Sequence, residues 1–508
     1  MNKHYYITTP IYYINDVPHI GHAYTTIAAD VMARYKRICG YDVFFLTGTD
    51  EHGQKVEKAA EQQGIHPKEH ADTMVHRFTD LWKVLNVSND GFIRTTEERH
   101  RKVVQYIFQK VYESGDIYLG EYEDWYCVPC ETYFTEMQLV EGKCPDCLRK
   151  PEKLKEESFF FRLSKYTERL LGLLKEHKDF VMPDIRYNEV ASFVKGGLRD
   201  LSVSRTSFNW GIPVPMKTHH IVYVWFDALA NYLTGIGFLD NVDMFKTFWP
   251  CDAHLIGKDI LRFHAVYWPG FLMSLEIEPP KHIFAHGWWT IEGQKMSKSL
   301  GNVIDPNEIV KAYGVDEFRF FLFREVPFGM DGDFSKNAII HRINGDLAND
   351  FGNLTSRSVT MIGKFLNGKI ERPEKKGGMD EYVEESVKRL VEEYQKEMEI
   401  FSYHKALHNV FEIISILNKY IDAEAPWRLS KEGDVRIKTV LYNIWNSLRI
   451  VTMLLYPFMP QKSEAIWHAL GIGKPIDKVL FDNEKVFYFM DDISYIDKIK
   501  PVFPRIEE

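Results

Sequence analysis

The first hundred residues alternate short apolar runs with longer stretches of helical periodicity. The segment YYITTPIYY at 5–13 is rich in β-branched and aromatic residues, and DVFFLTG at 42–48 is a continuous apolar run. Residues 23–38 and 54–63 carry apolar positions at helical spacing. Alternation of strand, helix, strand and helix is typical of a parallel α/β sheet. We therefore predict that the chain opens with the first half of such a sheet.

A region without clear periodicity interrupts this pattern. Residues 99–114 predict an amphipathic helix, and the pattern is lost from about residue 118. Strand-like apolar runs then return at three places, 220–229, 251–257 and 282–289. The return of strands after a gap predicts one parallel sheet split by an insertion.

Long helical periods replace the strands beyond about residue 335. They cover 346–366, 380–401, 404–421 and 436–456, with a polar connector at 364–378. Such periods without strands predict a helical bundle. The predicted units are the first half of the sheet domain, 1–115; the connective insertion, 116–215; the second half of the sheet domain, 216–335; and the helical domain with a C-terminal segment, 336–508.

Composition excludes several classes of protein. With 508 residues, 45% hydrophobic and 27% charged, the chain has the composition of a globular protein and not of a disordered or fibrous one. No apolar stretch approaches the roughly 20 residues that cross a bilayer, and the N-terminus lacks a signal-peptide core. We expect a cytoplasmic protein without a membrane partner. The net charge of −9 argues against non-specific DNA binding and leaves room for directed contacts to nucleic acid.

Four of the six cysteines form two C-x2-C pairs separated by thirteen residues. In a reducing compartment this spacing predicts one tetrahedral, structural zinc site that stabilises a short knuckle at 127–147. Two buried or redox-active pairs are the alternative. The four predicted ligands are Cys127, Cys130, Cys144 and Cys147.

The string Pro18-His19-Ile20-Gly21-His22 lies where the first strand passes into the first helix. Gly21 allows a close approach of the backbone, the amides at a helix start offer donors, and two imidazoles can donate to phosphate oxygens. The segment therefore predicts a phosphate cradle that lacks the lysine of a P-loop.

A second basic motif, KMSKS, follows the last β run within EGQKMSKSLGN. Lys295 and Lys298 are three residues apart in a polar loop flanked by glycines. Both ammonium groups can reach a triphosphate and neutralise the charge that develops as pyrophosphate leaves. A solvated surface loop is the alternative.

These two motifs, about 275 residues apart on opposite halves of a split parallel sheet, resemble those of class I aminoacyl-tRNA synthetases. Within that class the chain is similar to the methionyl-tRNA synthetase family along nearly all of its length. The resemblance also includes the four-cysteine knuckle, TGTDEHG, YVWFDAL, GKDILRFHAVYWP, NLTSR and APW. It implies ATP-dependent activation of L-methionine to methionyl-adenylate and transfer to the 3′ end of tRNA(Met), with Mg²⁺ entering with ATP.

The resemblance also implies a set of residues for ATP. His19 and His22 steady the phosphates, and Lys295 and Lys298 complete the clamp, so these four are the expected catalytic residues. Gly21, Lys258 and Asp259 complete the ATP set. For Lys258 and Asp259, a surface ion pair is the alternative.

Methionine needs an anchor for its ammonium group and a pocket for its thioether. Asp50, just past the second strand, is the natural ammonium partner, and the N-cap of the next helix is its alternative role. The resemblance places Ile11, Tyr13, Trp225, Ala228, Leu229, Tyr232, Ile260, His264 and Trp268 around the side chain. Without it, Trp225 and Tyr232 would be taken as core residues. Leu229 stands where one branch of the family has proline.

In the helical part, the resemblance assigns Asn353, Arg357 and Trp427 to the CAU anticodon of tRNA(Met). Asn353 and Arg357 are four residues apart and share a helix face, and Trp427 can stack on an unpaired base. A helix cap, a solvated face and a core residue are the structural alternatives.

We expect a monomer, and a separately encoded tRNA-binding partner stays open. Two other functions also stay open, a synthetase for a different amino acid and an RNA-binding paralogue without catalysis.

Overall fold

The structure is a computed structural model that describes residues 3–14, 17–129, 132–134, 136–145, 147–291, 293–295, 304–489, 495–496 and 499–507. The strands are β1 Lys3–Tyr13, β2 Tyr41–Asp50, β3 Gly91–Arg94, β4 Ile117–Cys127, β5 Thr132–Phe134, β6 Glu152–Phe161, β7 Val181–Met182, β8 Leu201–Ser202, β9 Ser204–Arg205, β10 Pro213–Val214, β11 Lys217–Val222, β12 Ala253–Gly257, β13 His282–His286, β14 Trp289–Ile291, β15 Gln294–Lys295 and β16 Gly332–Phe334.

The helices of the sheet domain and its insertion are α1 Ile20–Ile38, α2 Gln54–Gln63, α3 Pro67–Val84, α4 Glu98–Glu113, α5 Thr167–Glu176, α6 Asp184–Lys195, α7 Val224–Leu229, α8 Asn231–Thr234, α9 Val242–Phe248, α10 Trp268–Ser274, α11 Pro306–Tyr313 and α12 Val315–Arg324. Those of the helical part are α13 Lys336–Arg342, α14 Asn353–Phe365, α15 Asp380–Glu399, α16 Tyr403–Glu424, α17 Pro426–Glu432, α18 Arg436–Leu455, α19 Pro460–Ala469 and α20 Phe481–Glu484. Two π-helical segments, Phe263–Tyr267 and Ile343–Gly352, lead into α10 and α14.

A six-stranded parallel sheet in the order β3-β2-β1-β12-β13-β7 forms the centre of the fold. β1 and β12 pair directly, with Ile7 opposite Ala253, so the two halves predicted from sequence meet in the middle of the sheet. The apolar run of β2 fits this central position because a strand of a parallel sheet is covered on both faces. The predicted split parallel-sheet fold is confirmed.

The strand predicted at 220–229 is wrong in its second half. β11 ends at Val222 and belongs to a small antiparallel sheet with β9 and β10, whereas Val224–Leu229 forms the helix α7. Five of the six α7 residues are buried, including Asp227, so burial on nearly all sides leaves no helical period in the sequence. A short buried helix and a buried strand look alike in sequence.

The region predicted as an insertion contains antiparallel strands and the helices α5 and α6 among its described residues. β4 pairs with β6 along most of its length, and β5 and β8 complete a four-stranded sheet. The helices α5 and α6 pack against each other, and β7 between them pairs with β13 at the edge of the parallel sheet. The insertion therefore returns one short strand to the sheet that it interrupts.

A buried charge network joins the sheet domain to the helical part. Asp30 on α1 accepts hydrogen bonds from Arg34 at 2.7 Å and from Arg319 on α12 at 2.6 Å. Arg319 also donates to the carbonyls of Pro457 and Phe458, which follow α18. Burial raises the pKa of Asp30, but the two guanidinium groups outweigh it and hold that pKa well below its usual range. Asp30 is therefore ionised at neutral pH, and its charge is fully compensated.

Helices α15, α16 and α18 pack together in the helical part, and α14 and α17 lie against α18. Their apolar faces continue into the same core as α1, so one hydrophobic cluster extends through both parts. Across the described ranges, no helix combines the length and the hydropathy needed to cross a bilayer.

Candidate active site

Two of the four predicted catalytic residues, His19 and His22, lie beside the carboxyl edge of the parallel sheet. β1 ends at Tyr13, β2 at Asp50 and β12 at Gly257, and α1 begins beside them at Ile20. In open α/β sheets, ligands bind outside the carboxyl ends of the strands, where the strand order reverses. Here β1 continues to β2 on one side and pairs with β12 on the other, so this edge is the expected ligand site.

His19 is the N-cap of α1 and forms a reciprocal cap with His22. Nδ1 of His19 accepts the backbone N–H of Gly21 at 3.0 Å, and Nδ1 of His22 accepts the backbone N–H of His19 at 3.0 Å. The two rings are 4.0 Å apart. A Cβ atom on Gly21 would lie 2.9 Å from Cε1 of His19, so a larger residue there would displace the ring.

This capping arrangement fixes the tautomers of both imidazoles. Because each Nδ1 is an acceptor, the proton of each neutral ring lies on Nε2. Burial, together with the neighbouring His19, lowers the pKa of His22 well below its ordinary value. His22 is therefore neutral at physiological pH, and its Nε2–H group is a donor at the start of a helix, where anions bind.

Of the lysine motif, only the backbone of Lys295 is described, in β15, which pairs with β14. β14 follows β13 and pairs in parallel with β16. The side chain of Lys295 and the whole of Lys298 lie outside the described residues, so their predicted role in the clamp stays a prediction.

Lys258 and Asp259 follow β12 directly. The Lys258 ammonium group contacts both carboxylate oxygens of Asp331 at 2.7 Å and lies 4.3 Å from the centre of the Trp288 ring. Asp259 accepts a hydrogen bond from Nε1 of Trp288 at 3.1 Å. An ion pair was the alternative for this motif, and Lys258 does form one, with Asp331.

Asp50 is the last residue of β2 and is 6% exposed. It pairs in register with Tyr13 at the end of β1. The alternative role of Asp50 as a helix cap is wrong, because the N-cap of α2 is Gly53. The carboxylate thus lies at the ligand edge and not at a helix start, as an anchor for an ammonium group requires.

A second group of predicted residues surrounds a hydrogen bond between Tyr232 and His264. Nδ1–H of His264 donates to the carbonyl of Ile260 at 3.0 Å, so Nε2 accepts from the Tyr232 hydroxyl at 2.8 Å. The ring of Tyr232 stacks on His254 at 4.0 Å. Burial lowers the pKa of His264 to about 4 against the raising effect of the Ile260 carbonyl and Asp259, so the ring is neutral at pH 7. The pair is therefore polar but uncharged.

Aromatic rings lie near this pair. Trp225 is half-buried and stacks on Phe263 with ring centres 3.8 Å apart and an interplanar angle of 7°. The Trp268 ring lies 6.0 Å from that of Tyr232. The remaining predicted pocket residues are either buried or half-buried: Ala228, Leu229, Ile11, Tyr13 and Ile260. Rings with uncharged hydrogen bonds suit a polarizable thioether.

Comparison with known proteins agrees with this geometry. The family described as tRNA synthetases class I (M) matches residues 5–153 and 147–359, and the family described as the anticodon-binding domain of tRNA ligase matches 380–499. The methionine–tRNA ligase of Caldanaerobacter subterraneus subsp. tengcongensis is 50% identical over 100% of this chain and 80% of its own length. The chain belongs to the methionyl-tRNA synthetase family. The methionine–tRNA ligase of Thermotoga maritima is 49% identical over 99% of the chain and 80% of its own length.

Solved structures of this family share the fold. Mycobacterium tuberculosis methionyl-tRNA synthetase in complex with methionyl-adenylate is 44% identical with a TM-score of 0.94, covering 99% of this chain and 100% of that one. The apo form is 40% identical with a TM-score of 0.86, covering 100% of this chain and 99% of that one.

Three of the four predicted zinc ligands lie together. The donor atoms of Cys127, Cys144 and Cys147 are all within 4.8 Å of one another, and Sγ of Cys127 is 3.4 Å from Sγ of Cys147. That separation is too long for a disulfide, which is about 2.05 Å, and is near the roughly 3.8 Å between thiolates on a tetrahedral zinc ion. Cys130 lies outside the described residues. The described thiols can hold a metal such as zinc.

Another group of potential ligands consists of Glu157, His219 and His220, whose donor atoms also lie within 4.8 Å of one another. Here the Lys217 ammonium group already contacts the Glu157 carboxylate, and Nε2 of His220 is 3.1 Å from the same carboxylate. The carboxylate charge is therefore compensated by side chains, and we assign no metal to this group.

The three predicted anticodon residues lie on neighbouring elements of the helical part. Asn353 begins α14 and is exposed, and Arg357 on the same helix donates to Asp422 at 2.8 Å. Trp427 on α17 is 49% exposed, so it is not a core residue. Because α14 packs against α17, the two elements that carry the three residues are neighbours.

A buried carboxylate beside the pocket was missed by the sequence analysis. Asp227 on α7 accepts Nδ1–H of His52 and Nε2–H of His100, each at 2.7 Å. The side chains of Asp227, His52 and His100 are at most 6% exposed. An acidic residue inside the apolar run VWFDAL is the signal that would have indicated it, since a buried charge needs partners.

Proposed function

We propose that this chain is a methionine–tRNA ligase that activates L-methionine with ATP and transfers it to the 3′ end of tRNA(Met), for initiation and elongation of translation. The observation that supports this most is the shared sheet edge. There, the His19–His22 donors lie at the start of α1, after β1, and His264, which bonds to Tyr232, lies in the segment that follows β12. Similarity to methionine–tRNA ligases over the whole chain supports the same conclusion.

In the first step, the methionine carboxylate attacks the α-phosphate of ATP in line and pyrophosphate leaves. In the proposal, the Nε2–H groups of His19 and His22 donate to the phosphates, with Gly21 giving the space that the His19 ring needs. Lys295 and Lys298 neutralise the developing charge from the other side. Mg²⁺ bound with ATP would neutralise further phosphate charge. Lys258 and Asp259, at the end of β12, complete the nucleotide site.

Asp50 anchors the methionine ammonium group in this proposal. Its carboxylate is nearly buried, so a charge-assisted hydrogen bond from the ammonium group is stronger there than in water. The pocket residues then select the methionine side chain by its size and shape. They are Ile11, Tyr13, Trp225, Ala228, Leu229, Tyr232, Ile260, His264 and Trp268. Ring edges contact sulfur favourably, and leucine offers a different branch and no polarizable atom.

In the second step, the 3′-terminal ribose hydroxyl of tRNA attacks the adenylate, and AMP leaves. We propose that Asn353 and Arg357 read base edges of the anticodon and that Trp427 stacks on one base. The four-unit division at 115, 215 and 335, a monomeric state and a cytoplasmic location belong to the same proposal. A separately encoded tRNA-binding partner is compatible with it.

The decisive experiment is ATP–pyrophosphate exchange with a panel of amino acids, followed by aminoacylation of tRNA(Met) transcripts. We expect exchange with methionine, and charging that depends on the CAU anticodon. Exchange with another amino acid but not with methionine would assign the chain to a different class I specificity. RNA binding without exchange of any amino acid would identify a paralogue that lacks catalysis.

We propose that zinc is the metal of the cysteine cluster and that Cys130 is its fourth ligand. Metal analysis of the purified protein should give one zinc ion per chain, and Cys147→Ser should lower that content to near zero. Cys39→Ser is the matched control, because Cys39 is a half-buried cysteine outside the cluster. Unchanged zinc in Cys147→Ser, or an equal loss in Cys39→Ser, would contradict the ligand assignment.

A further inference from the structure

The Asp227 network has no role in the chemistry described above, although it is one of the most completely buried polar groups of the sheet domain. Asp227 is 0% exposed, His100 is 0% exposed and His52 is 5% exposed. Nδ1 of His100 lies 3.0 Å from the hydroxyl of Thr234 on α8, which is also buried. Burying an aspartate with two histidines requires each proton to have a defined partner.

The partners assign the protons that face Asp227. Its carboxylate accepts Nδ1–H from His52 and Nε2–H from His100. The Thr234 hydroxyl, which donates to the carbonyl of Ala230 at 3.1 Å, lies 3.0 Å from Nδ1 of His100. Burial raises the pKa of Asp227, but the histidines outweigh it and lower that pKa below its usual value. The carboxylate is therefore ionised at neutral pH and has one donor on each oxygen.

The network joins the two segments that carry the candidate methionine residues. His52 is in the turn after β2, two residues beyond Asp50, and Asp227 is on α7 between Trp225 and Ala228. Asp50 belongs to the first half of the split sheet, whereas α7 follows the insertion. A direct side-chain link between them therefore fixes two parts of the pocket that are distant in sequence.

Trp210 limits the movement of the same turn from the other side. Its Nε1–H donates to the carbonyl of Glu51 at 2.6 Å, and its own carbonyl accepts the N–H of Gly53 at 3.0 Å. Glu51 in turn receives two hydrogen bonds from Arg94, at 2.7 and 3.0 Å. These contacts hold the backbone of the turn. The hydrogen bond between His52 and Asp227 then links the turn to α7.

We propose that Asp227 is a positioning residue that sets the distance between the ammonium anchor Asp50 and the pocket for the methionine side chain. It acts through His52 on the turn and through its own helix on Trp225 and Ala228, and it touches no reacting atom. Loss of the bridge lets the two sides separate, so a bound methionine contacts one side well and the other poorly. This inference rests on the proposed methionine specificity of the site.

Asp227→Asn is the first test, because it keeps the shape and removes the second acceptor. One histidine must then face the amide N–H₂ and change its tautomer or lose its bond. We expect the KM for methionine in ATP–pyrophosphate exchange to rise about tenfold, and the KM for ATP to stay within about twofold. A purely structural role would lower the active fraction and the thermal stability without separating the two KM values.

The two histidines give a matched set of rescue variants. An asparagine amide occupies about the place of Nδ1 of histidine, and a glutamine amide about that of Nε2. His52→Asn and His100→Gln therefore keep the donor to Asp227, whereas His52→Gln and His100→Asn misplace it. We expect the first pair to keep the methionine KM within about threefold of the wild type, and the second pair to raise it about tenfold.

Asp116→Asn controls for the loss of any buried carboxylate. Asp116 is 3% exposed and accepts hydrogen bonds from Tyr166 and Ser274 at 2.6 and 2.8 Å, away from the sheet edge. It should lower the melting temperature and leave the methionine KM unchanged. The positioning role is overturned if wild-type exchange is methionine-dependent but the rescue pair and the misplaced pair behave alike. Wild-type protein without methionine-dependent exchange would instead overturn the proposed function.

Discussion

The candidate methionine pocket and the candidate anticodon surface consist of different kinds of groups. In the pocket, Tyr232 and His264 are 1% exposed and hydrogen-bonded to each other, and Asp50 is 6% exposed. On the helical surface, Trp427 is 49% exposed, and the Arg357 side chain is 40% exposed while paired with Asp422. The first group consists of buried side chains, two of them hydrogen-bonded to each other, and the second consists of side chains at the surface.

This difference predicts which measurements each site affects. Removing a buried polar partner leaves an unsatisfied group, so binding and stability change together. Removing an exposed ring leaves nothing unsatisfied, so only the affinity for RNA changes. Amino-acid activation and tRNA charging should therefore be separable by mutation.

The largest effect is expected from Asp50→Asn. Loss of the charge that pairs with the methionine ammonium group should lower kcat/KM for methionine in pyrophosphate exchange by roughly 100- to 1,000-fold. Asp252→Asn is the matched control, because Asp252 lies at the opposite edge of the sheet, where it binds the N–H of Tyr6 and Lys281. If both variants lost activity equally, the ammonium anchor would have to be another residue.

Trp427→Ala should lower aminoacylation of tRNA(Met) about 10- to 100-fold, because stacking on an aromatic ring contributes roughly 1–3 kcal/mol per base. Methionine-dependent exchange should stay within about twofold of the wild type. Tyr382→Ala provides a control, since Tyr382 on α15 is 54% exposed and is another aromatic residue of the helical part. Equal losses in exchange and charging would indicate a folding defect.

Tyr232→Phe removes the donor to Nε2 of His264 and leaves that nitrogen buried without its partner. We expect the KM for methionine to rise about tenfold, because an unsatisfied buried acceptor costs roughly 1–3 kcal/mol. Tyr166→Phe removes an equally buried hydroxyl that donates to Asp116 and should change stability alone. An unchanged methionine KM in Tyr232→Phe would place the side-chain pocket elsewhere.

The smallest effect concerns acid stability. The folded-state pKa of His264 is lowered to about 4, so between pH 6.5 and 4 the unfolded chain binds a proton that the folded chain does not. The free energy of unfolding is therefore highest above about pH 6.5 and falls as the pH is lowered. At pH 5 the loss due to His264 is about 2 kcal/mol.

His264→Gln should accordingly show a smaller fall in melting temperature between pH 7.5 and pH 5 than the wild type, by a few degrees at most. Differential scanning fluorimetry at the two pH values measures this difference. A wild-type melting temperature as sensitive to acid as that of His264→Gln would mean that His264 is protonated in the fold.

The catalytic edge was predictable because local sequence determines it. A strand followed by His19-Ile20-Gly21-His22 and a helical period fixes where α1 begins, and the apolar run of β2 places Asp50 at the end of a strand. Both features follow from short-range patterns and from the rule that ligands bind at the carboxyl ends of parallel strands.

The supporting structure was not predictable, because it depends on contacts between distant segments. Asp227 is satisfied by His52 and His100, which are 175 and 127 residues away in sequence. The helical conformation of α7 depends on burial on all sides, which no periodic pattern records. Likewise, β7 consists of two residues, and only its pairing with β13 makes it part of the sheet.

The Asp30–Arg319 contact limits how the chain can be divided experimentally. Arg319 uses the carbonyls of Pro457 and Phe458 as acceptors, so a fragment cut at the start of the helical part would leave a buried guanidinium group short of partners. A fragment cut after the lysine loop would lack Arg319 and leave the buried Asp30 with one guanidinium partner fewer. Activation without anticodon recognition is therefore better obtained by changing single surface residues than by truncation. Any shortened version intended for ligand screening should retain the segment through the end of α18 and the turn that follows it.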